Sequence, residues 1–107
     1  MKIKKPDPTA YDSWVAQKLA NDPALASEYL KAILEDTKGK DNGHALLRAL
    51  KQIAQAQGMA KVAKTAGIHR ESLSRALSER GNPRIDTLLS IVSAMGLQLT
   101  VQSPTAS

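Results

Sequence analysis

The sequence contains no cysteine, and aromatic residues make up only 3% of it. The absence of cysteine excludes disulfides and thiolate metal sites, and it suits a reducing compartment. With so few aromatics, the core must be built from Leu, Ile, Val, Ala and Met, which a 107-residue chain with 42% hydrophobic residues can supply for one compact domain. No apolar run approaches about 18 residues, so we expect no membrane span, no signal peptide and a cytoplasmic location.

Positive charge is unevenly distributed along the chain, whose formal net charge is +5. Residues 1–40 carry seven Lys or Arg against six Asp or Glu, whereas residues 41–107 carry eight against four. The whole excess of the second part lies between Lys61 and Arg84. Such a positive field attracts polyanions, although a solvated basic face would have the same composition.

The first part of the chain is predicted to form an extended segment and then two helices. Residues 1–10 contain two prolines, which disfavour helix in the residues before them, and a helix is predicted over residues 11–20. Asp22 offers an N-cap carboxylate and Pro23 suits a first helical turn, so a second helix is predicted from here to about Asp36. A polar loop follows.

Four more helices and one strand are predicted beyond this loop. Apolar spacing and turn residues give helices over about 42–57, 59–66, 69–79 and 85–95, a strand over 97–102 and a loose tail over 103–107. The predicted fold class is all-α, a single domain of five to six helices over residues 11–102. A lone strand leaves backbone groups unpaired, so Leu97, Leu99, Thr100 and Val101 are predicted to pair with a second copy in a homodimer.

Residues 59–79 have the pattern of a helix-turn-helix. Small Ala63 lies where two short helices must touch, and Gly67 lies in the turn, where glycine adopts a positive φ easily. Aliphatic side chains supply the wedge that fixes the angle between the helices: Val62, Ala66, Ile68, Leu73 and Ala76 or Leu77. An ordinary αα-hairpin would share part of this pattern.

The outer face of the second of these helices carries polar side chains suited to a DNA groove. Recognition helices read base edges near their N-termini, and arginine can bind guanine bidentately. The predicted base contacts are His69, Arg70, Glu71, Ser72, Ser74 and Arg75, where Glu71 either accepts from cytosine or orients Arg75. The predicted phosphate contacts are Lys61, Lys64, Arg80, Asn82 and Arg84. Residues 70–84 are therefore the main predicted contact surface for double-stranded DNA.

The run from residue 59 to residue 77 resembles the Cro/repressor-like helix-turn-helix, and residues 11–101 resemble the addiction-module antidote proteins, the HigA-like antitoxins of type II toxin–antitoxin systems. The resemblance lies in Tyr11-Asp12, Tyr29-Leu30, residues in the segment Ala49-to-Met59 that leads into the helix-turn-helix, Gly67-to-Leu73, Arg75-to-Ser78, Gly81-Asn82-Pro83, Asp86-to-Leu88 and Gly96-to-Leu99. Ser74 departs from the pattern, because the family often has an aromatic residue there. The likeness assigns residues 42–102 to the DNA-binding domain and residues 11–41 to an N-terminal extension.

The resemblance implies that the chain neutralises a RelE/ParE-like protein toxin and represses its own operon at a palindromic operator. Residues 1–41 exceed what DNA binding needs, so the expected toxin surface is the extension, with Trp14, Glu28, Tyr29, Glu35 and Asp36. In the alternative interpretation both extension helices only cover the core, with Trp14, Leu30, Ile33 and Leu34 buried.

Enzymatic chemistry is not expected. His44 and His69 have no acidic cluster at ligand spacing, no strand-turn-helix elbow positions a nucleophilic serine, and no glycine-rich phosphate loop is present, so neither a metal nor a cofactor is predicted. Two other functions remain open on the residues alone. One is a stand-alone helix-turn-helix regulator without a toxin partner, and the other is a protein-interaction bundle that binds no nucleic acid.

Overall fold

A computed structural model describes residues 8–35 and 42–103. Within these ranges the chain forms six helices: α1 (Pro8–Asn21), α2 (Pro23–Glu35), α3 (Asn42–Gln57), α4 (Met59–Ala66), α5 (Arg70–Ala76) and α6 (Ile85–Ala94). The predicted all-α class with five to six helices is confirmed. None of the described helices is long and apolar enough to cross a membrane.

Helix α3 is the centre of the packing. Helices α1, α2 and α4 all lie against it, and α4 in turn contacts α5 and α6. The most deeply buried large side chains come from four different helices and from the residue after α5: Leu50, Ile53, Val62, Leu73, Leu77 and Ile91. No described side chain with a polar or charged group is buried in this core. Burial of aliphatic surface therefore supplies the main stabilisation, as the composition predicts.

The local signals that start and end the helices are visible as hydrogen bonds. The Leu25 N–H donates to Oδ1 of Asp22 at 3.2 Å, so Asp22 caps α2 as predicted. The Gly58 N–H donates to the Ala54 carbonyl at 2.8 Å and closes α3, while the Gly58 carbonyl accepts from Val62 at 3.0 Å and opens α4. One glycine thus separates two helices without an intervening loop.

The prediction for the N-terminal segment is wrong at residues 8–10. Helix α1 begins at Pro8, which is favoured in the first helical turn because its missing N–H would have no partner there. Residues 1–7 of that segment, Asp36 with most of the polar loop, and residues 104–107 of the predicted tail lie outside the described residues.

The predicted C-terminal strand is not present in the described residues of this single chain, and its pairing with a second copy stays a prediction. Leu97, Leu99, Thr100 and Val101 are not in a strand, because a β-ladder requires a second strand and residues 8–35 and 42–103 supply none. The alternation itself is present in part. Leu97 and Leu99 pack against the core, whereas Thr100 is exposed and Val101 is 95% exposed.

The interpretation that Trp14, Leu30, Ile33 and Leu34 are buried in the core is wrong for Trp14 and Leu34. Trp14 is 61% exposed and Leu34 is 46% exposed, whereas Leu30 is buried and Ile33 is half-buried against the core. On α1, Ala16 and Leu19 form the buried face, and Trp14 lies on the opposite side of the helix. The extension therefore covers the core and also presents aromatic surface to solvent.

Candidate nucleic-acid interface

A glycine corner joins α4 to α5. Gly67 has φ 77° and ψ 28°, in the left-handed region. Its N–H donates to the Lys64 carbonyl at 3.2 Å, and the Ile68 N–H donates to the Ala63 carbonyl at 3.0 Å. These two bonds form a Schellman motif, which satisfies carbonyls that the helix end would leave unpaired. The predicted role of Gly67 in the turn is confirmed.

Buried aliphatic side chains hold the two short helices together. Val62 and Ala63 of α4 are 1% and 2% exposed, and Leu73 and Leu77 are fully buried. Ala63 carries a single methyl group, which would let the two backbones approach at the contact that the sequence predicts here. We refer to residues 59–76, which comprise α4, the glycine corner and α5, as the two-helix unit.

Helix α5 is shorter than the sequence predicts. It begins after the N-cap residue His69 and ends at Ala76, three residues before the predicted end at Glu79. The chain turns at Ser78, whose N–H and Oγ both donate to the Arg75 carbonyl, at 3.2 and 2.8 Å. A side-chain hydroxyl that bonds the backbone three residues earlier competes with continued helix.

The six residues predicted to contact bases are brought together on this one helix and its cap. The side chains of His69, Arg70, Glu71 and Arg75 are exposed, whereas those of Ser72 and Ser74 are half-buried. Glu71 and Arg75 form no ion pair in the part of the chain that the structure describes. Of the two roles predicted for Glu71, orienting Arg75 is therefore not seen in this state.

The five residues predicted to contact phosphates precede or follow α5 in the chain. Lys61 and Lys64 are exposed on α4, and Arg80, Asn82 and Arg84 are exposed in the loop between α5 and α6. Arg84 Nε lies 3.7 Å from Oδ1 of Asp86, with both side chains largely in solvent. An exposed pair of this kind contributes about 0–1 kcal/mol at most, so it does not prevent Arg84 from meeting another anion.

The loop between α5 and α6 folds back onto the end of α5 at Gly81. A Cβ added at this position would collide with the Ala76 carbonyl oxygen, and it would lie 2.8 Å from the Ala76 carbonyl carbon and 2.9 Å from the Arg75 oxygen. The sequence indicated Gly81 only as part of a family pattern. Its physical reason is this backbone contact, and no spacing rule in the sequence would have shown it.

Two apolar residues of α6 were also misplaced by the sequence pattern. Ile85 is 69% exposed and Leu89 is 45% exposed, although both belong to the apolar spacing from which the helix over residues 85–95 was predicted. The buried face is formed by Ile91, Val92 and Met95. Leu89 lies at the edge of that face, and Ile85 lies in the first turn, where neighbouring elements do not cover it.

The residues predicted to contact a toxin are divided between two helices. Trp14 of α1 is exposed, with Nζ of Lys18 5.3 Å from the centre of its ring. Tyr29 of α2 is 40% exposed, and Glu28 and Glu35 are exposed on the same helix. The fifth residue, Asp36, is outside the described part of the chain.

Neither histidine belongs to a cluster of metal-ligating side chains in residues 8–35 and 42–103. His44 lies in the first turn of α3, and His69 precedes α5. The described residues that precede, form and follow α5 carry exposed lysine and arginine side chains, with the exposed carboxylates of Glu71 and Glu79 among them.

Comparison with known proteins gives two matches. A family model described as "Probable addiction module antidote protein" matches residues 9–103. A Haemophilus influenzae protein described as "Uncharacterized protein" is 43% identical over 74 residues, which cover 69% of this chain and 72% of that protein. No solved structure matches the chain. The family match includes the extension helices as well as the two-helix unit.

Proposed function

We propose that this chain, which belongs to the family of probable addiction module antidote proteins, is an antitoxin that neutralises a protein toxin and represses its own operon. The observation that carries the antitoxin role is the family match over residues 9–103. The toxin is expected to be RelE/ParE-like, and the chain to be a HigA-like, Cro/repressor-type regulator that works without catalysis or a cofactor.

The two-helix unit supports the DNA-binding half of the proposal. Helix α5 is the recognition helix of a helix-turn-helix in this proposal, with its N-terminal end in the major groove. Arg70 and Arg75 are exposed, and each can donate two hydrogen bonds to guanine O6 and N7. Leu73 and Leu77 are buried on the other side, so the helix is held firmly while its polar face is left for bases.

Charge on the flanks of α5 supports contacts to the DNA backbone. Lys61 and Lys64, which precede α5 in the chain, and Arg80 and Arg84, which follow it, are all exposed. Side chains at such positions bind phosphates on both edges of a groove and set the register of the recognition helix. Asn82 adds an uncharged donor on the loop side.

The exposed aromatic residues of the extension support a toxin-binding surface there. Trp14 and Tyr29 present apolar surface that the core does not use, and aromatic residues are enriched at protein interfaces. Glu28 and Glu35 are exposed on the same helix as Tyr29 and would favour a basic partner.

A homodimer remains part of the proposal, because a palindromic operator matches a protein with two-fold symmetry. The C-terminal segment gives two copies the means to pair. Thr100 and Val101 are exposed, and Val101 is almost completely so. A second copy would supply the strand partner that one chain lacks.

The toxin role is tested by co-expression with the neighbouring gene, followed by copurification. We expect the neighbour's product to bind the full chain, and the Trp14→Ala variant to weaken that binding at least tenfold, since interface tryptophans often contribute 2 kcal/mol or more (about thirtyfold). Arg48→Ala, which removes an exposed side chain from α3, is the control and should bind normally. If no partner copurifies but DNA is bound, the chain is a stand-alone regulator.

The DNA role is tested with the region upstream of the gene. Binding measured at several salt concentrations should weaken steeply as salt rises, because phosphate contacts release counterions. Arg70→Ala should reduce discrimination between operator and random DNA by about 1–3 kcal/mol, whereas Arg48→Ala should not. Equal discrimination in the two variants would remove Arg70 from base reading, and no binding at all would favour a protein-interaction bundle.

A further inference from the structure

Gly81 lies so close to the backbone of α5 that there is no room for a Cβ atom at this position. The atoms that an added Cβ would meet belong to the backbone of Ala76 and Arg75, which cannot rotate away as a side chain could. Gly81 does not have a positive φ, so its lack of a side chain, and not an unusual backbone conformation, is what the site requires. Any other residue here must push the loop away from the helix or distort the last turn of α5.

Hydrogen bonds fix the same loop at a second point. The Gly81 N–H donates to the Ser78 carbonyl at 2.8 Å. Ser78 in turn donates through both its N–H and its Oγ to the Arg75 carbonyl. The loop therefore follows the end of α5 closely between residues 77 and 81, and exposed Arg80 and Asn82 are held immediately beside that end.

We infer that Gly81 is a positioning residue for DNA binding, an inference that rests on the DNA-binding function proposed above. It lets the loop lie against the last turn of α5, so that Arg80, Asn82 and Arg84 reach the phosphates while the α5 side chains reach the bases of the same duplex. In this role Gly81 sets the path of the loop through its contact with Ala76 and Arg75, and the role requires no contact between Gly81 and DNA.

The test measures binding to a random-sequence duplex across a range of salt concentrations. Gly81→Ala should give a shallower salt dependence, by about 0.9 in the slope of log K against log salt for each phosphate that the loop no longer neutralises. Gly43→Ala is the matched control, because a Cβ at Gly43 meets nothing within 4 Å and its φ is not positive. This control should keep the affinity and the slope of the unmodified chain. Circular dichroism establishes that the variants remain helical.

A mutant cycle separates positioning from a general loss of structure. The Arg80→Gln/Arg84→Gln pair should flatten the salt slope in the unmodified chain and have a smaller effect in the Gly81→Ala background, because misplaced arginines contribute less. If Gly81→Ala fails to fold, Ser78→Ala removes the hydroxyl bond to Arg75 without adding atoms and should flatten the slope in the same direction.

Two results would overturn the inference while the proposed function stands. The first is a salt slope in Gly81→Ala that equals that of the unmodified chain, or the same result in Ser78→Ala if Gly81→Ala does not fold. The second is a mutant cycle in which the effects of Gly81→Ala and of the two arginine substitutions on the slope simply add. If the unmodified chain binds no duplex at all, the proposed DNA-binding function fails, and the role of Gly81 fails with it.

Discussion

Replacement of Gly67 by alanine tests the glycine corner. A Cβ at Gly67 meets nothing within 4 Å, so the substitution introduces no collision. Its cost is the left-handed backbone at φ 77°, which is about 1–2 kcal/mol for an L-residue. We therefore expect the free energy of unfolding to fall by about 1–2 kcal/mol. The melting temperature should fall by roughly 4–8 °C per kcal/mol for a domain of this size.

Gly43→Ala is the opposite case in the same chain. Gly43 lies in the first turn of α3, is exposed, and has neither a positive φ nor a neighbour within 4 Å of an added Cβ. Alanine should raise the free energy of unfolding by about 0.4–1 kcal/mol, because it reduces the conformational entropy of the unfolded chain and collides with nothing in the folded one. Urea denaturation of both variants measures the two changes. If both substitutions change the free energy of unfolding in the same direction, or if Gly67→Ala lowers it by more than about 3 kcal/mol, the left-handed backbone at Gly67 is not the origin of the cost.

Three further outcomes can be checked with simple assays. Leu73→Ala should lower the free energy of unfolding by about 2–5 kcal/mol in denaturant unfolding, because Leu73 is fully buried in the core, and a decrease under 1 kcal/mol would contradict that burial. Asp22→Ala should lower the free energy of unfolding by about 0.5–2 kcal/mol, because Asp22 caps α2, and Asp22→Ser should retain most of the stability of the unmodified chain. Equal stability of the two variants would argue against the cap. Thr100→Pro should lower the sedimentation mass towards that of a monomer if the C-terminal segments pair as strands, since proline removes a ladder N–H, and an unaltered mass would argue against that interface.

Local signals were sufficient where a helix boundary depends on a residue's own chemistry. The extents of α3 and α4, the cap at Asp22 and the left-handed turn at Gly67 follow from residue types and spacing. The start of α1 was predicted too late because Pro8 was interpreted as a residue that only prevents helix before it. In the structure it is the first helical residue.

Predictions that depended on tertiary context were less successful. Trp14 was placed in the core in one interpretation, yet Lys18 lies one turn further on the same face and should have indicated a solvent-facing side. The strand could not form in a single chain, since pairing needs a second strand. The backbone contact at Gly81 joins the end of α5 to the loop after it, and no local sequence pattern encodes how closely these two approach, so the contact is seen only in the folded structure.

The position of the only tryptophan has a practical consequence for spectroscopy. Because Trp14 lies on the solvent face of α1, its fluorescence in the folded chain should already resemble that of a hydrated indole. Emission would then change little when the protein unfolds, and would shift to shorter wavelength when another molecule covers the ring. The chain thus carries a built-in optical reporter that responds to association at its N-terminal surface more than to the loss of its fold.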